Sequence, residues 1–133
     1  MAFVKGFRDL EVYRHSRQLA REIFELTKKF PREEMYSLTD QVRRSSRSVG
    51  GQIAEAWGKQ RYEKHFVSKL SDAEAEQLET QHWIECALDC SYISEETAEK
   101  LMQQYSSLGN RLNSMINKSA SFCAKRAKSP GDQ

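Results

Sequence analysis

Residues 43–52 read "RRSSRSVGGQ", and this stretch decides how the rest of the chain is read. Apolar residues on both sides keep a helical beat: Leu38, Val42, Ser45, Val49, Ile53 and Ala56 fall on one face of a single helix. At about 100° per residue, Arg43, Arg44, Arg47, Gly51 and Ala54 fall on the opposite face. The glycines need a reason, because mid-helix glycine costs roughly 0.5–1 kcal/mol relative to alanine. Gly51, Ala54 and Gly58 form a smooth strip where another backbone can approach. The segment therefore reads as a phosphate-binding surface or as a surface that something packs against closely.

Working outward, the same rhythm recurs. Leu19, Ile23, Leu26 and Phe30 give a first helix over residues 8–29, ended by Pro31, which disfavours helical geometry at Phe30. The second helix starts at Ser37, where "SLTD" resembles a capping box with Asp40 as acceptor, and stops at Gly58. Phe66, Leu70, Ala73, Gln77, Thr80, Ile84 and Ala87 alternate spacings of 4 and 3 through a third helix, Tyr62 to Cys90. Ser94 caps a fourth, with Glu95 and Glu96 in its positive first turn and Ala98, Leu101, Tyr105, Leu108, Leu112, Met115 and Ser119 along its stripe. Four such helices joined by short turns predict an all-α, up-down-up-down four-helix bundle. It forms one domain over residues 1–122, followed by a flexible basic tail over 123–133 that includes "AKRAKSPGDQ".

Composition agrees. The chain has 133 residues, 38% hydrophobic and 30% charged, with only two prolines and six glycines, which suits long helices and a real core. No run of eighteen apolar residues occurs, and the first residues are already charged, so neither a membrane span nor a signal peptide is expected. Three cysteines, Cys86, Cys90 and Cys123, make no disulfide framework and point to a reducing cytoplasm. Net charge is only +2 but uneven: residues 72–99 hold nine acidic side chains and no Lys or Arg, whereas residues 41–69 hold seven Lys/Arg against two Glu. Such asymmetry favours oriented association with nucleic acid or with a second copy of the chain.

Arg43, Arg44 and Arg47 are candidate phosphate ligands, since guanidinium pairs with phosphate bidentately. Lys59, Arg61 and Lys64 extend the basic run past the helix end. The alternative use of these residues is salt bridging within the bundle or between subunits, and Arg44 is the most structural of the three arginines. Gly50, Gly51 and Ala54 are candidate oligomer contacts. So is a second, partly apolar flank of the third helix, with Trp83, Cys86 and Cys90. His82, Cys86 and Cys90 are metal-ligand types at i, i+4 and i+8, but the first and last lie about 12 Å apart along a helix, so no metal site is expected. Glu55 and Glu79 are placed to meet across helices two and three, without the Glu-x-x-His motif of a carboxylate metal site. No nucleophile–base set, phosphate loop or HExxH motif is present, and no enzymatic activity or cofactor is expected.

Several motifs together carry a family resemblance. They are Phe7-x2-Leu10-x2-Tyr13, Phe30-Pro31, Tyr36-x-Leu38-Thr39-x-Gln41-x-Arg43-Arg44, Ser48, Ile53-Ala54-Glu55 and Leu78-Glu79-Thr80-Gln81. Over residues 7–93 the chain resembles the four-helix-bundle proteins encoded in intervening sequences of bacterial 23S rRNA genes. It departs from them at "VGGQ", which replaces a Pro and an Asn, at Ser37, which replaces a Gly, and in lacking a Gly-Ser pair before Leu78. Gly50-Gly51 then stand in for the bend of the proline, and Gln52 for the Asn amide. The resemblance implies a homo-oligomer, a pentameric ring above all, with no enzymatic activity. The family is also similar to the accessory variability proteins of diversity-generating retroelements, which implies nucleic acid, RNA or DNA, and a reverse transcriptase as partners.

Overall fold

A computed structural model describes residues 4–127, with side chains as far as residue 123. Helices α1 (Glu11–Thr27), α2 (Leu38–Gly58), α3 (Glu63–Asp89) and α4 (Glu95–Asn117) run up, down, up and down, and a short α5 (Ser119–Ala127) follows. Single 3-10 turns, Phe7–Asp9 and Arg32–Glu34, precede α1 and α2. Consecutive helices pack side by side and α1 closes the ring against α4, while no strand occurs among the described residues. No helix among them is long and apolar enough to cross a membrane.

The predicted stripes of the second, third and fourth helices are the core; of the first stripe Leu19 and Ile23 are buried, Leu26 and Phe30 are half-buried, and Val12, Ser16 and Thr27 complete the buried face. Every stripe position of α2 and α3 is buried, as are Ala98, Leu101, Tyr105, Leu108, Leu112, Met115 and Ser119. Two polar members of the α3 stripe are satisfied locally. Thr80 Oγ1 donates to Ser45 Oγ at 2.8 Å across the α2–α3 seam, and Gln77 Nε2 donates to Glu74 Oε1 at 2.9 Å. Gly109 of α4 lets that second pair in: a Cβ there would lie 2.6 Å from Gln77 Nε2 and 2.9 Å from Glu74 Oε2.

Two expectations are corrected at helix ends. The first helix starts at Glu11 rather than residue 8, because residues 7–9 wind more tightly. Ser37 does not cap α2 with its side chain. Ser37 Oγ instead donates to Glu34 Oε1 at 2.6 Å, and the same oxygen accepts Leu38 N at 3.3 Å. Tyr92 Oη donates to the other carboxylate oxygen of Glu34 at 2.7 Å, so one acid ties the α1–α2 turn to the α3–α4 turn. These hydrogen bonds, from Ser37 first and then Tyr92, hold the Glu34 carboxyl below its ordinary range and push the Tyr92 phenol up to about 12.

The bundle–tail boundary expected after residue 122 also moves. Cys123 is buried and residues 123–127 belong to α5; residues 128–133 of the expected tail lie outside the described residues. Ser94 caps α4 as expected, accepting Thr97 N at 3.1 Å. At the other side of that turn α3 ends on Ser91 in the left-handed region, φ 62°. Tyr92 N donates to Ala87 O and Ser91 N to Leu88 O, the paired bonds that close a helix C-terminus.

Candidate nucleic-acid interface

Helix α2 is continuous through Gly50 and Gly51, so the pair does not break it. The two glycines face different neighbours. A Cβ on Gly50 would meet Ser16 Oγ at 3.2 Å and the Tyr13 ring at 3.6 Å; Gly50 therefore admits α1 of the same chain. A Cβ on Gly51 would meet nothing within 4 Å.

The three arginines separate in the same way. Arg44 leans onto α3, pairing with Glu76 at 3.7 Å and more closely with Glu79. Glu79 also accepts Trp83 Nε1 at 3.0 Å, so an Arg44–Glu79–Trp83 chain crosses the outside of the α2–α3 seam. Glu55 does not reach Glu79; it pairs with Lys69 at 3.2 Å. Burial and the neighbouring Glu79 raise the Glu76 carboxyl above its ordinary value, outweighing Arg44. Arg43 leans the other way. Its Nε donates to Thr27 Oγ1 at 2.7 Å, and its guanidinium sits 4.6 Å from the Phe24 ring centre. Arg47 is exposed and lies 5.6 Å from that same ring, while Lys28 lies 4.9 Å from it.

The result is a basic seam between α1 and α2. Beside Phe24 runs a shallow groove of about 260 Å³ with Arg17 and Arg47 at its edges, Tyr13 and Ala20 on the α1 side, and Gly51 and Ala54 on the α2 side; no carboxylate lines it. Arg17, Phe24 and Lys28 escaped the sequence reading. The signal was there: residues 13, 17, 20, 24 and 28 share one flank of α1, but only the packing shows that this flank borders Arg47.

Lys59, Arg61 and Lys64 are all exposed around the α2–α3 turn. Among the described residues, neither they nor Arg17, Arg43 and Arg47 have a carboxylate partner. Exposed acids Asp72, Glu85, Asp89, Glu95, Glu96 and Glu99 lie on α3 and the start of α4, and others, Glu22, Glu25, Asp40 and Glu55, lie on α1 and α2.

On α3, Trp83 is half-buried and its ring lies 4.7 Å from that of His82. Cys86 is half-buried, 3.8 Å from His82 Nε2, and Cys90 is exposed. Burial first, then the charges of Asp89 and other nearby groups, pushes the Cys86 thiol up. Among the described residues no group of three His, Cys, Asp or Glu side chains is placed to hold a metal ion.

Comparison with known proteins adds to this geometry. The profile of the family described as 23S rRNA-intervening sequence protein matches residues 8–114, further along the chain than the motifs alone reach. The chain is similar to the crystal structure of a protein of unknown function from the S23 ribosomal protein family of Bacteroides thetaiotaomicron. The two share 30% identity and a TM-score of 0.72 over 80% of this chain and 95% of that one. No curated protein matches.

Proposed function

The chain belongs to the 23S rRNA-intervening sequence protein family, and on that premise we propose that it is a non-enzymatic, ring-forming bundle that binds nucleic acid, RNA above all, through its basic surface. The observation that carries this reading is the set of cations without carboxylate partners among the described residues: Arg17, Arg43, Arg47, Lys59, Arg61 and Lys64. These six positive groups, three along the α1–α2 seam and three about the α2–α3 turn, repel their neighbours, and a polyanion relieves that repulsion. Arg44 leaves the ligand set, because Glu79 and Glu76 already hold it. No base-reading motif accompanies these cations, so the binding is sensitive to salt and weakly specific in sequence.

The family resemblance implies a ring, and a head-to-tail contact between copies forms one when its rotation closes. Five copies is the number the family resemblance favours, with Gly51, Ala54, Trp83, Cys86 and Cys90 at the contacts. Unpaired cysteines fit a cytoplasmic setting. The exposed acids on α3 and the start of α4 favour a second reading: a protein-interaction scaffold or accessory subunit whose arginines meet those acids on a neighbouring subunit, or meet a partner protein such as a reverse transcriptase.

Light scattering at micromolar concentration, followed by titration of labelled RNA at two salt concentrations, tests both. The expected result is a mass well above 15.4 kDa and RNA affinity that falls steeply with salt. An oligomer that ignores RNA leaves the scaffold reading in place, and a monomer overturns the ring.

A further inference from the structure

The α2–α3 turn, residues 59–62, carries more than charge. Tyr62 is 58% exposed, although it is a large aromatic on a tightly hydrogen-bonded turn. Its ring meets the edge of the exposed His65 ring, with centres 5.7 Å apart. Beside them lies an open concavity of about 750 Å³ lined by Tyr62, Glu63, Lys64, His65 and Val67. Lys59 and Arg61 flank it in sequence, both exposed and without carboxylate partners among the described residues.

The one acid in the lining is turned to another use. Glu63 Oε2 accepts Ser119 Oγ of α5 at 2.7 Å. Gln60 is buried and donates to Phe122 O of α5 at 3.5 Å, and Phe122 stacks on Phe66 with ring centres 5.8 Å apart. The turn is therefore braced from beneath. The backbone that carries its aromatic and cationic groups is set before any ligand arrives, which lowers the ordering entropy lost on binding.

Resting on the nucleic-acid reading above, we infer that this turn is a platform for single-stranded nucleic acid, on which an unpaired base stacks against Tyr62 while Lys59, Arg61 and Lys64 hold the flanking phosphates. An exposed aromatic among unpaired cations is what a single strand uses and a duplex cannot, because duplex bases are already stacked on each other. Neither group reads the sugar, so this platform takes single-stranded RNA and DNA alike, and a preference for RNA rests on the remainder of the basic surface.

The test uses the full chain and three fluorescein-labelled probes: a 12-nucleotide oligouridylate, a 12-nucleotide oligothymidylate and a 12-base-pair RNA duplex. Anisotropy should show both single strands binding more tightly than the duplex. Tyr62→Ala should weaken both single strands by roughly tenfold, the loss of one stacked base, with the salt slope unchanged. Tyr62→Phe, which keeps the ring, should bind as the parent does. Lys59→Ala, Arg61→Ala and Lys64→Ala should each lower the slope by about one. Because Tyr62 is exposed, its variants should keep the parent's thermal midpoint and oligomeric mass. Equal binding by Tyr62→Ala and the parent, or a duplex bound as well as a single strand, overturns the platform and leaves nucleic-acid binding standing. A Tyr62→Ala variant of lower mass makes the residue a subunit contact and overturns it too. If none of the three probes binds, both readings fall together.

Discussion

On the flank of α2 that meets α3, the arginine is already neutralised. Arg44 has Glu79 and Glu76 beside it, and Ser45 is hydrogen-bonded to Thr80. On the flank that meets α1, Arg47 has an aromatic ring and no carboxylate, and Gly51 faces open space. The two flanks are built from interleaved residues of one ten-residue stretch. What separates them is the neighbour: α3 brings acids, whereas α1 brings Phe24, Arg17 and a Lys28 that Glu25 already pairs at 3.1 Å. A cation beside acids is a surface ion pair of modest worth. A cation beside other cations is poised for an external anion.

The sharpest way to break this contrast is to put leucine at each glycine. Gly50→Leu should lose about 1–3 kcal/mol of stability, because the side chain is driven into Tyr13 and Ser16. Gly51→Leu should leave the folded chain as stable as before or slightly more so, since helix propensity favours leucine. A Gly51→Leu protein with an unchanged thermal midpoint but a lower mass by light scattering would place Gly51 at a subunit contact. Equal loss of stability at both sites would erase the distinction between the flanks.

Next come the arginines. Arg47→Ala should weaken RNA binding several-fold and lower the salt slope by about one, with the thermal midpoint unchanged. Arg44→Ala should leave the RNA titration unaltered and lose no more than about 1 kcal/mol of stability, a loss that shrinks at high salt because the pair is partly exposed. If Arg44→Ala were the variant that lost RNA, the assignment of the two flanks would be reversed.

A smaller effect separates the two acids that face Arg44. The raised Glu76 carboxyl means that its charged form is disfavoured by folding. Its penalty is absent below the unfolded-state value of 4.5 and is fully present once pH exceeds the raised folded-state value. Denaturant unfolding at pH 7 should therefore find Glu76→Gln as stable as the parent or slightly more so, while Glu79→Gln, which removes the partner shared by Arg44 and Trp83, is less stable. Equal destabilisation by both would show that Arg44 draws on the two acids alike. Smallest of all, Gly51→Ala should gain about 0.5–1 kcal/mol in the same measurement, and a loss there would mean that the outward face is covered.

The helices and their buried faces were legible because a 3.6-residue period is a property of the sequence itself. Leu38 to Ala56 and Phe66 to Ala87 are buried at every stripe position. The cap at α2 was not legible in the same way. "SLTD" has the spacing of a capping box, but Glu34 reaches the helix end from the preceding turn and occupies Ser37. The candidate site was half legible. A helical wheel divides α2 into an inside and an outside, and it placed all three arginines together on the outside. It holds no information on which helix borders each flank, so it could not separate Arg44 from Arg47 or find Arg17 and Phe24. Helix α5 was missed because nine residues with one buried cysteine and an aromatic give too short a stripe to read.

The brace that α5 supplies has a consequence for how the protein is made. Gln60 and Glu63 find their partners at Phe122 and Ser119, 62 and 56 residues further on. At translation rates of about 5–20 residues per second, the α2–α3 turn waits several seconds after it emerges before those partners exist. Helices α2 and α3 can pair during that interval, since their contacts are close in sequence and form early. The nascent chain therefore passes through a stage in which the hairpin is folded but the tip of the turn is slack, and the basic, aromatic end of the bundle becomes rigid only as α5 docks.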